Sequence, residues 1–324
     1  MFTAPSLAEI EAASQALEGR IVATPTLTLN SDRITPYLPD NSKVHMKMEL
    51  FQQAGSFKAR GALLAADALT PEQRAAGVTA VSAGNHALAV SWSANQAGIS
   101  AKVVMPDTAD QIRVDGCRAL GAEVVLVENV EAAFAEVDRL VKEEGRTMMH
   151  PFESPYMALG AATCGLEFIR SRPDMETIVL PIGGGGLIAG MASAIKLENP
   201  NCHIIGVEPF GADSMHRSFE KGEAVPIDKV DTIADSLGAP MALPSSYAIT
   251  RANVDELIRI EDDEMRTMMK RLYEGLKIVA EPACAATTAA ICGALRERLS
   301  GQNIGVIACG SNISLNKFNR LTAG

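Results

Sequence analysis

Lys58 stands in the stretch Leu50–Ala62, LFQQAGSFKARGA, two residues after Ser56 and directly before a helix-like run. A bland account exists: Ser56 caps the helix, and Lys58 and Arg60 are solvated first-turn charges. A lysine in a first turn opposes the helix dipole, however, so the position is unfavourable unless something else uses the amine. An amine desolvated near positive potential has a lowered pKa and can condense with a carbonyl. Far along the chain, Gly183, Gly184, Gly185 and Gly186 follow the apolar run TIVLPI and precede LIAGMASAIKLE, a helical pattern. Glycines at such a junction permit a tight turn and leave N–H groups free to meet an anion, with a phosphate the natural occupant. A third loop, SAGNHA from Ser82 to Ala87, brings a hydroxyl, an amide and an imidazole to a helix start, donors suited to a carboxylate. Alone it carries less, because Ser and Asn are also common helix caps.

A partner that offers both a carbonyl to Lys58 and a phosphate to the glycine run is pyridoxal phosphate, which also supplies an electron sink for a carbanion at Cα. The run does not follow the dinucleotide pattern G-x-G-x-x-G, and no G-x-x-x-x-G-K-[ST] occurs.

The elements that must hold these loops are legible as alternation. VHMKM, VTAVS, AKVVM, EVVLV, TIVLPI, HIIGVE and IGVIA read as strands, most followed by ten or more residues of helical periodicity. That pattern predicts βαβ units, largely parallel sheets covered on both faces, and ligands beyond the carboxyl ends of the strands. SAGNHA, GGGG and CGSN are the loops that follow such strands. Lobe boundaries fall near TPEQRAAG and HPFESP, predicting a large domain of residues 1–72 and 150–324 with a small domain, 73–149, inserted in it.

Composition narrows the partners. The 324 residues carry 29 basic and 39 acidic side chains, a net charge of −10 without long blocks of one sign, so neither nucleic acid nor an anionic membrane is expected as partner. Six cysteines without a CxxC pair fit a reducing cytoplasm, and the N-terminus lacks the basic start and apolar core of a signal peptide. The 19-residue uncharged run Thr177–Ile195 approaches a membrane span in length, but its proline and four consecutive glycines favour strand, loop and buried helix.

In order and separation, GSFKARGA, SAGNHA, GGGGL, VEP, EPACAA and CGSN resemble the fold type II pyridoxal-phosphate enzymes, most of all the threonine/serine dehydratase and serine racemase branch. The resemblance runs from about Leu27 to Asn312. It implies an α/β fold of two open, mostly parallel sheets flanked by helices, tryptophan synthase β-like, and pyridoxal 5'-phosphate as cofactor. It implies further that Lys58 forms the Schiff base and moves the Cα proton, with Phe57 packed beside the ring. Gly183 to Gly186, with Leu187, would hold the phosphate, Asn85 would bond the ring hydroxyl, and Cys309 would face the pyridine nitrogen. Ser82, Ala83, Gly84, Asn85 and His86 would cradle the substrate carboxylate, partly through main-chain donors.

The implied reaction is loss of water and ammonia from L-threonine, L-serine or a related β-hydroxy amino acid, giving a 2-oxo acid. In this branch the acid for the departing hydroxyl is expected to be the cofactor phosphate. A small-molecule amino acid is the expected partner, and a homodimer or higher homo-oligomer the expected assembly. The racemases carry a serine where this chain has Ala83. The branch's divalent cation site (Mg or Mn) matches at Glu208 and Ala212 but meets Ser214 where its aspartate would be, with Asp213 one place early. Alternatives are a racemase, a hydroxyaspartate dehydratase or a β-replacement synthase, and, outside enzymes, a silent cofactor-binding module. The chain stops shortly after CGSN, so inhibition by isoleucine is expected to be absent.

Overall fold

The computed structural model describes residues 1–323 and contains ten strands: β1 Thr26–Thr28, β2 Lys43–Lys47, β3 Val78–Val81, β4 Ala101–Pro106, β5 Glu123–Val127, β6 Thr147–Met148, β7 Thr177–Pro181, β8 His203–Pro209, β9 Glu256–Ile260 and β10 Asn303–Ile307. They form two sheets. Six strands lie in the order β1-β2-β10-β7-β8-β9, with β1 antiparallel to β2 and every other pair parallel. The other four, β5-β4-β3-β6, are all parallel. The expected α/β architecture of two mostly parallel sheets flanked by helices is therefore what the chain adopts.

Burial explains the pattern. Strands covered on both faces need apolar side chains on both, and β7 is buried throughout while β8 is buried from Ile204 onward. The larger core gathers Ile178, Leu180, Ile205, Val207, Val306 and Ile307, and a separate core under the second sheet holds Val78, Ala80, Val103, Met105 and Val114. The run Thr177–Ile195 divides as expected into β7, a glycine loop and the helix Gly186–Glu198. No described helix is long and apolar enough to cross a membrane. All seven expected strands are present, while the short β1, β6 and the charged edge strand β9 complete the sheets. TPEQRAAG is itself a short helix, Pro71–Ala76, with a capping box between Thr70 and Gln73.

One helix matters most for the site. Lys58–Asp67 packs across Pro155–Ser171 at Gly61 and Gly160, where a Cβ on Gly160 would fall on the backbone of Gly61. Its Arg60 is fully buried and forks into two carboxylates: Nε donates to Glu49 Oε2 at 2.8 Å and NH1 to Glu167 Oε1 at 2.7 Å. Lys47 reaches the same Glu167 at 2.9 Å. Removing one member of such a buried set leaves an uncompensated charge, which is strongly destabilising. All six cysteines are free; Cys292 is half-buried and the other five are buried, and desolvation raises the pKa of every one, to about 12 at Cys202, Cys284 and Cys292.

Candidate active site

Three neighbouring strands deliver the chemistry. β2, β10 and β7 are adjacent and parallel, so the segments beyond their carboxyl ends meet: the Lys58 segment after β2, CGSN after β10 and GGGG after β7. Phe57 N donates to Cys309 O at 3.2 Å, and Ser56 pairs with Gly310 in an isolated bridge, which fixes the Lys58 segment against the CGSN loop. Ser56 is not the helix cap: Phe57 holds that position, and the Ser56 hydroxyl is buried without a partner.

Lys58 Nζ lies 5.1 Å from the centre of the Phe57 ring and donates to Pro151 O at 2.9 Å. Desolvation lowers its pKa to about 8, against the opposing pull of Cys309 and Glu281. A substantial share of the amine is therefore neutral near physiological pH, the form that attacks a carbonyl. Cys309 is buried, and its thiol is pushed well above the usual range chiefly by desolvation. It is a neutral group.

The tetraglycine loop is a cradle of free donors. Ile182 N still bonds across to Val207 O, but the N–H groups of Gly183, Gly184, Gly185, Gly186 and Leu187 find no acceptor among the described residues. Side chains would fill the space these donors need. A Cβ on Gly184 would fall on the Phe152 ring, one on Gly183 would lie 3.1 Å from Leu237 Cα, and Gly185 has φ +90°. A phosphate group fits such a cradle on a helix N-terminus.

SAGNHA sits after β3 at the start of the helix Asn85–Ala97, where the N–H groups of Asn85 and His86 have no acceptor among the described residues. Ser82 Oγ accepts from Gly84 N at 3.1 Å and shapes the turn. The His86 imidazole departs from the sequence reading. It is buried, and Nε2 donates to Met149 O at 2.7 Å, because a carbonyl can only accept. Nδ1 is thereby bare, and desolvation pulls the pKa down to about 3, so the neutral ring has no proton for a carboxylate. The main-chain donors of this loop remain.

Asn85 is also committed within the protein. Its Nδ2 donates to Glu281 Oε1 at 2.5 Å and to Ser236 Oγ at 3.3 Å, and its Oδ1 accepts from Asn312 Nδ2 at 2.7 Å. Behind it runs a charged chain that sequence reasoning missed. Arg113 donates to Asp235 Oδ2 at 2.7 Å, Glu281 Oε2 at 3.3 Å, Asn312 O at 2.7 Å and Ala83 O at 3.3 Å. Lys317 Nζ donates to Asp235 Oδ2 at 2.8 Å. Burial raises the pKa of Glu281, opposed by the Arg113 guanidinium. EPACAA flags Glu281 only as a motif letter, and Arg113 lies in a helix whose sequence looks like ordinary surface.

The expected cation site is not assembled. Glu208 spends its two oxygens on Met215 N at 2.9 Å and His216 N at 2.7 Å, and desolvation lifts its pKa to about 8. Ala212 could offer only its expected backbone carbonyl, and Asp213 is claimed by Arg217 at 2.7 Å and Arg259 at 3.0 Å. Among the described residues no group of three or more His, Cys, Asp or Glu side chains could hold a metal ion. These residues do not fit a divalent cation, and no step is assigned to one.

A desolvated lysine, a glycine cradle for a phosphate and a buried neutral thiol, all beyond adjacent strand ends, are the parts of a pyridoxal-phosphate site, and the chain belongs to the pyridoxal-phosphate dependent enzyme family (PALP), whose model matches residues 19–310. It is 46% identical over 318 residues to phenylserine dehydratase of Ralstonia pickettii, covering 98% of this chain and 96% of that one. It is 36% identical over 280 residues to L-threonine ammonia-lyase of Thermotoga maritima, covering 86% of this chain and 69% of the relative. Among solved structures, maize serine racemase superposes with a TM-score of 0.91 at 33% identity, covering 98% of this chain and 96% of that one.

Proposed function

We propose that the protein is a pyridoxal-phosphate dependent ammonia-lyase that converts L-threonine, L-serine or a related β-hydroxy amino acid such as phenylserine to a 2-oxo acid and ammonia. The observation that carries this reading is Lys58, an amine with pKa lowered to about 8 beside a cradle of five free N–H groups. Bound cofactor supplies the sink for the electron pair left when the Cα proton departs. The chain's own residues do the rest. Gly183 to Leu187 hold the phosphate by main-chain donors, and Phe57 and Cys309 border the ring. Residues Ser82 to His86 take the substrate carboxylate through the N–H groups at the start of the helix Asn85–Ala97. Lys58 Nζ would accept the Cα proton as the Cβ–O bond breaks, and the hydroxyl would take a second proton from the phosphate group that Gly183 to Leu187 would hold, so that it leaves as water. The released enamine tautomerises to an imine, which water hydrolyses to the 2-oxo acid and ammonia.

The partition into residues 1–72 with 150–324 and an inserted 73–149 belongs to this reading, with the second sheet carrying the carboxylate loop. So do a homodimer or higher homo-oligomer, measurable by light scattering, and a cytoplasmic setting, which the unpaired cysteines support.

The test is direct. Purified protein with added cofactor should show Schiff-base absorbance and form 2-oxo acid from at least one β-hydroxy amino acid. Lys58→Ala should lose that absorbance and lower turnover by about 10³-fold or more, since anchor and base vanish together. Retention of more than a few per cent of activity would remove Lys58 from its role.

A further inference from the structure

We infer that His150 is a positioning residue for the reaction: its Nδ1 fixes the peptide plane between Pro151 and Phe152, and the carbonyl of that plane orients the Lys58 amine. The inference deepens the lyase reading, on which it rests for the work of Lys58 as a base. His150 lies in the segment that joins β6 to the helix Pro155–Ser171. Both ends of this segment are held. Met149 N donates to Thr79 O at 2.8 Å and Met149 O accepts from His86, while the Glu153 carboxylate takes Ser245 N at 2.7 Å, Ser246 N at 3.0 Å and Ser246 Oγ at 2.8 Å.

The middle is set by one ring nitrogen. His150 Nδ1 accepts from Phe152 N at 3.3 Å and from Glu153 N at 2.9 Å, so it carries no proton and the neutral ring keeps its hydrogen on Nε2. Desolvation lowers the His150 pKa and favours that acceptor form. Phe152 N and Pro151 O belong to one planar, trans peptide group, in which N–H and C=O point in opposite directions. Holding the N–H toward His150 therefore turns the C=O away from it, and this is the oxygen that receives Lys58 Nζ at 2.9 Å. A neutral amine has one lone pair, and with one N–H given to Pro151 O the directions open to that lone pair are narrowed, which is what attack on a carbonyl or capture of the Cα proton requires. A peptide whose N–H is already bonded is also the stronger acceptor at its oxygen. The same turn places Phe152, whose ring meets the His150 ring edge-on at 4.7 Å and occupies the space a Cβ on Gly184 would need, with its Cα 3.0 Å from where a Cβ on Gly186 would stand. One imidazole thus sets both the Lys58 amine and a side of the phosphate cradle.

The experiment compares His150→Asn with His150→Gln. Asparagine puts Oδ1 where Nδ1 stands and keeps the acceptor, whereas glutamine carries its amide one carbon further out and leaves the Phe152 and Glu153 N–H groups unmet. Two quantities are read: the affinity of the apo-protein for pyridoxal phosphate, followed by Schiff-base absorbance, and kcat and KM of the holoenzyme for L-threonine, L-serine and phenylserine. His150→Gln should weaken cofactor affinity about tenfold, the worth of one lost hydrogen bond. It should lower kcat about 100-fold with KM changed less than about threefold, because a misplaced base slows chemistry more than binding. His150→Asn should stay within about fivefold of wild type in every quantity, since it keeps the one atom the inference uses. Equal values for the two variants, or a glutamine variant better than the asparagine one, overturn the inference. Should His150→Gln fail to fold, His150→Asn alone decides: near wild-type values uphold the inference, and a loss beyond about tenfold, or failure to fold, overturns it, because an acceptor at Nδ1 is all it asks of the side chain. The affinity measurement involves no amino acid. The expected contrast in affinity with no 2-oxo acid from any hydroxy amino acid would therefore sink the lyase reading and leave the placement of Lys58 by His150 standing, whereas turnover with no contrast would sink the inference alone.

Discussion

Lys58 is useful because its protein surroundings remove water from an amine that solvent would otherwise keep charged. Capture of cofactor by the apo-protein requires the neutral form, so the second-order rate with pyridoxal phosphate should climb about tenfold per pH unit below about pH 8 and level off above it. Stopped-flow absorbance measures this; a rate that keeps climbing to pH 10 would mean that Lys58 titrates like a solvated lysine. Ala83 makes the second residue-scale case. Returning a proton to the cofactor face opposite Lys58 needs a donor, and a methyl group has none. Wild-type protein is therefore expected to leave little D-serine during turnover of L-serine, whereas Ala83→Ser should gain measurable racemisation, both read by chiral chromatography. Lys58 and the glycines were legible because their types are unusual for their places, a lysine in a first turn and four glycines in a row, whereas Ala83 stood out only through the resemblance to the racemases. Arg113 and Asp235 were not, because an arginine and an aspartate on separate helical segments look like solvated charges until the fold brings them to 2.7 Å.

At the scale of elements, the position of Lys58 depends on two glycines that touch. The helix Lys58–Asp67 can approach Pro155–Ser171 because Gly160 has no Cβ to strike Gly61, only three residues beyond Lys58. Gly160→Ala should cost about 1–3 kcal/mol, the usual penalty for overpacking a rigid contact. It should also weaken cofactor affinity, because relief of the clash must move the helix that carries the anchor. Urea melts and cofactor titrations read the two effects; loss of stability with unchanged affinity would show that the helix does not transmit the displacement. Strands buried on both faces were plain from their apolar runs, and β7 and β8 were read to within a residue or two. β9 was not, since Glu256 and Arg259 interrupt its apolar pattern and only pairing with β8 makes ELIRI a strand. The crossing of the two glycine-bearing helices was likewise hidden, because nothing local says which face of a helix a distant glycine will meet.

For the molecule as a whole, the two sheets are tied together by Arg113, which rises from the second sheet's helix Gln111–Ala119 to Glu281 and Asn312 beside the first. Glu281 is fully buried, so Arg113→Met would leave its charge unbalanced, and the loss should be about 3–5 kcal/mol near pH 8. The pH dependence follows from the direction of the Glu281 shift. Its carboxyl holds a proton more tightly in the folded chain than in the unfolded one, so the folded state is favoured at low pH and loses that advantage as pH rises through the raised value. Removing Arg113 raises the value further, and the variant should therefore melt closer to wild type at pH 5 than at pH 8; an equal deficit at both would show that the guanidinium does not compensate Glu281. The tie between the sheets could not be read from the sequence, because it joins residues 168 positions apart. The cysteines have a practical corollary. Five are enclosed, and every thiol stays protonated at neutral pH, so a maleimide reagent meets almost no reactive sulfur. Cysteines introduced at the exposed Asp40 and Glu131 would accept a pair of fluorophores against a dark background, and the distance between the dyes would report the separation of the two sheets in a single working molecule.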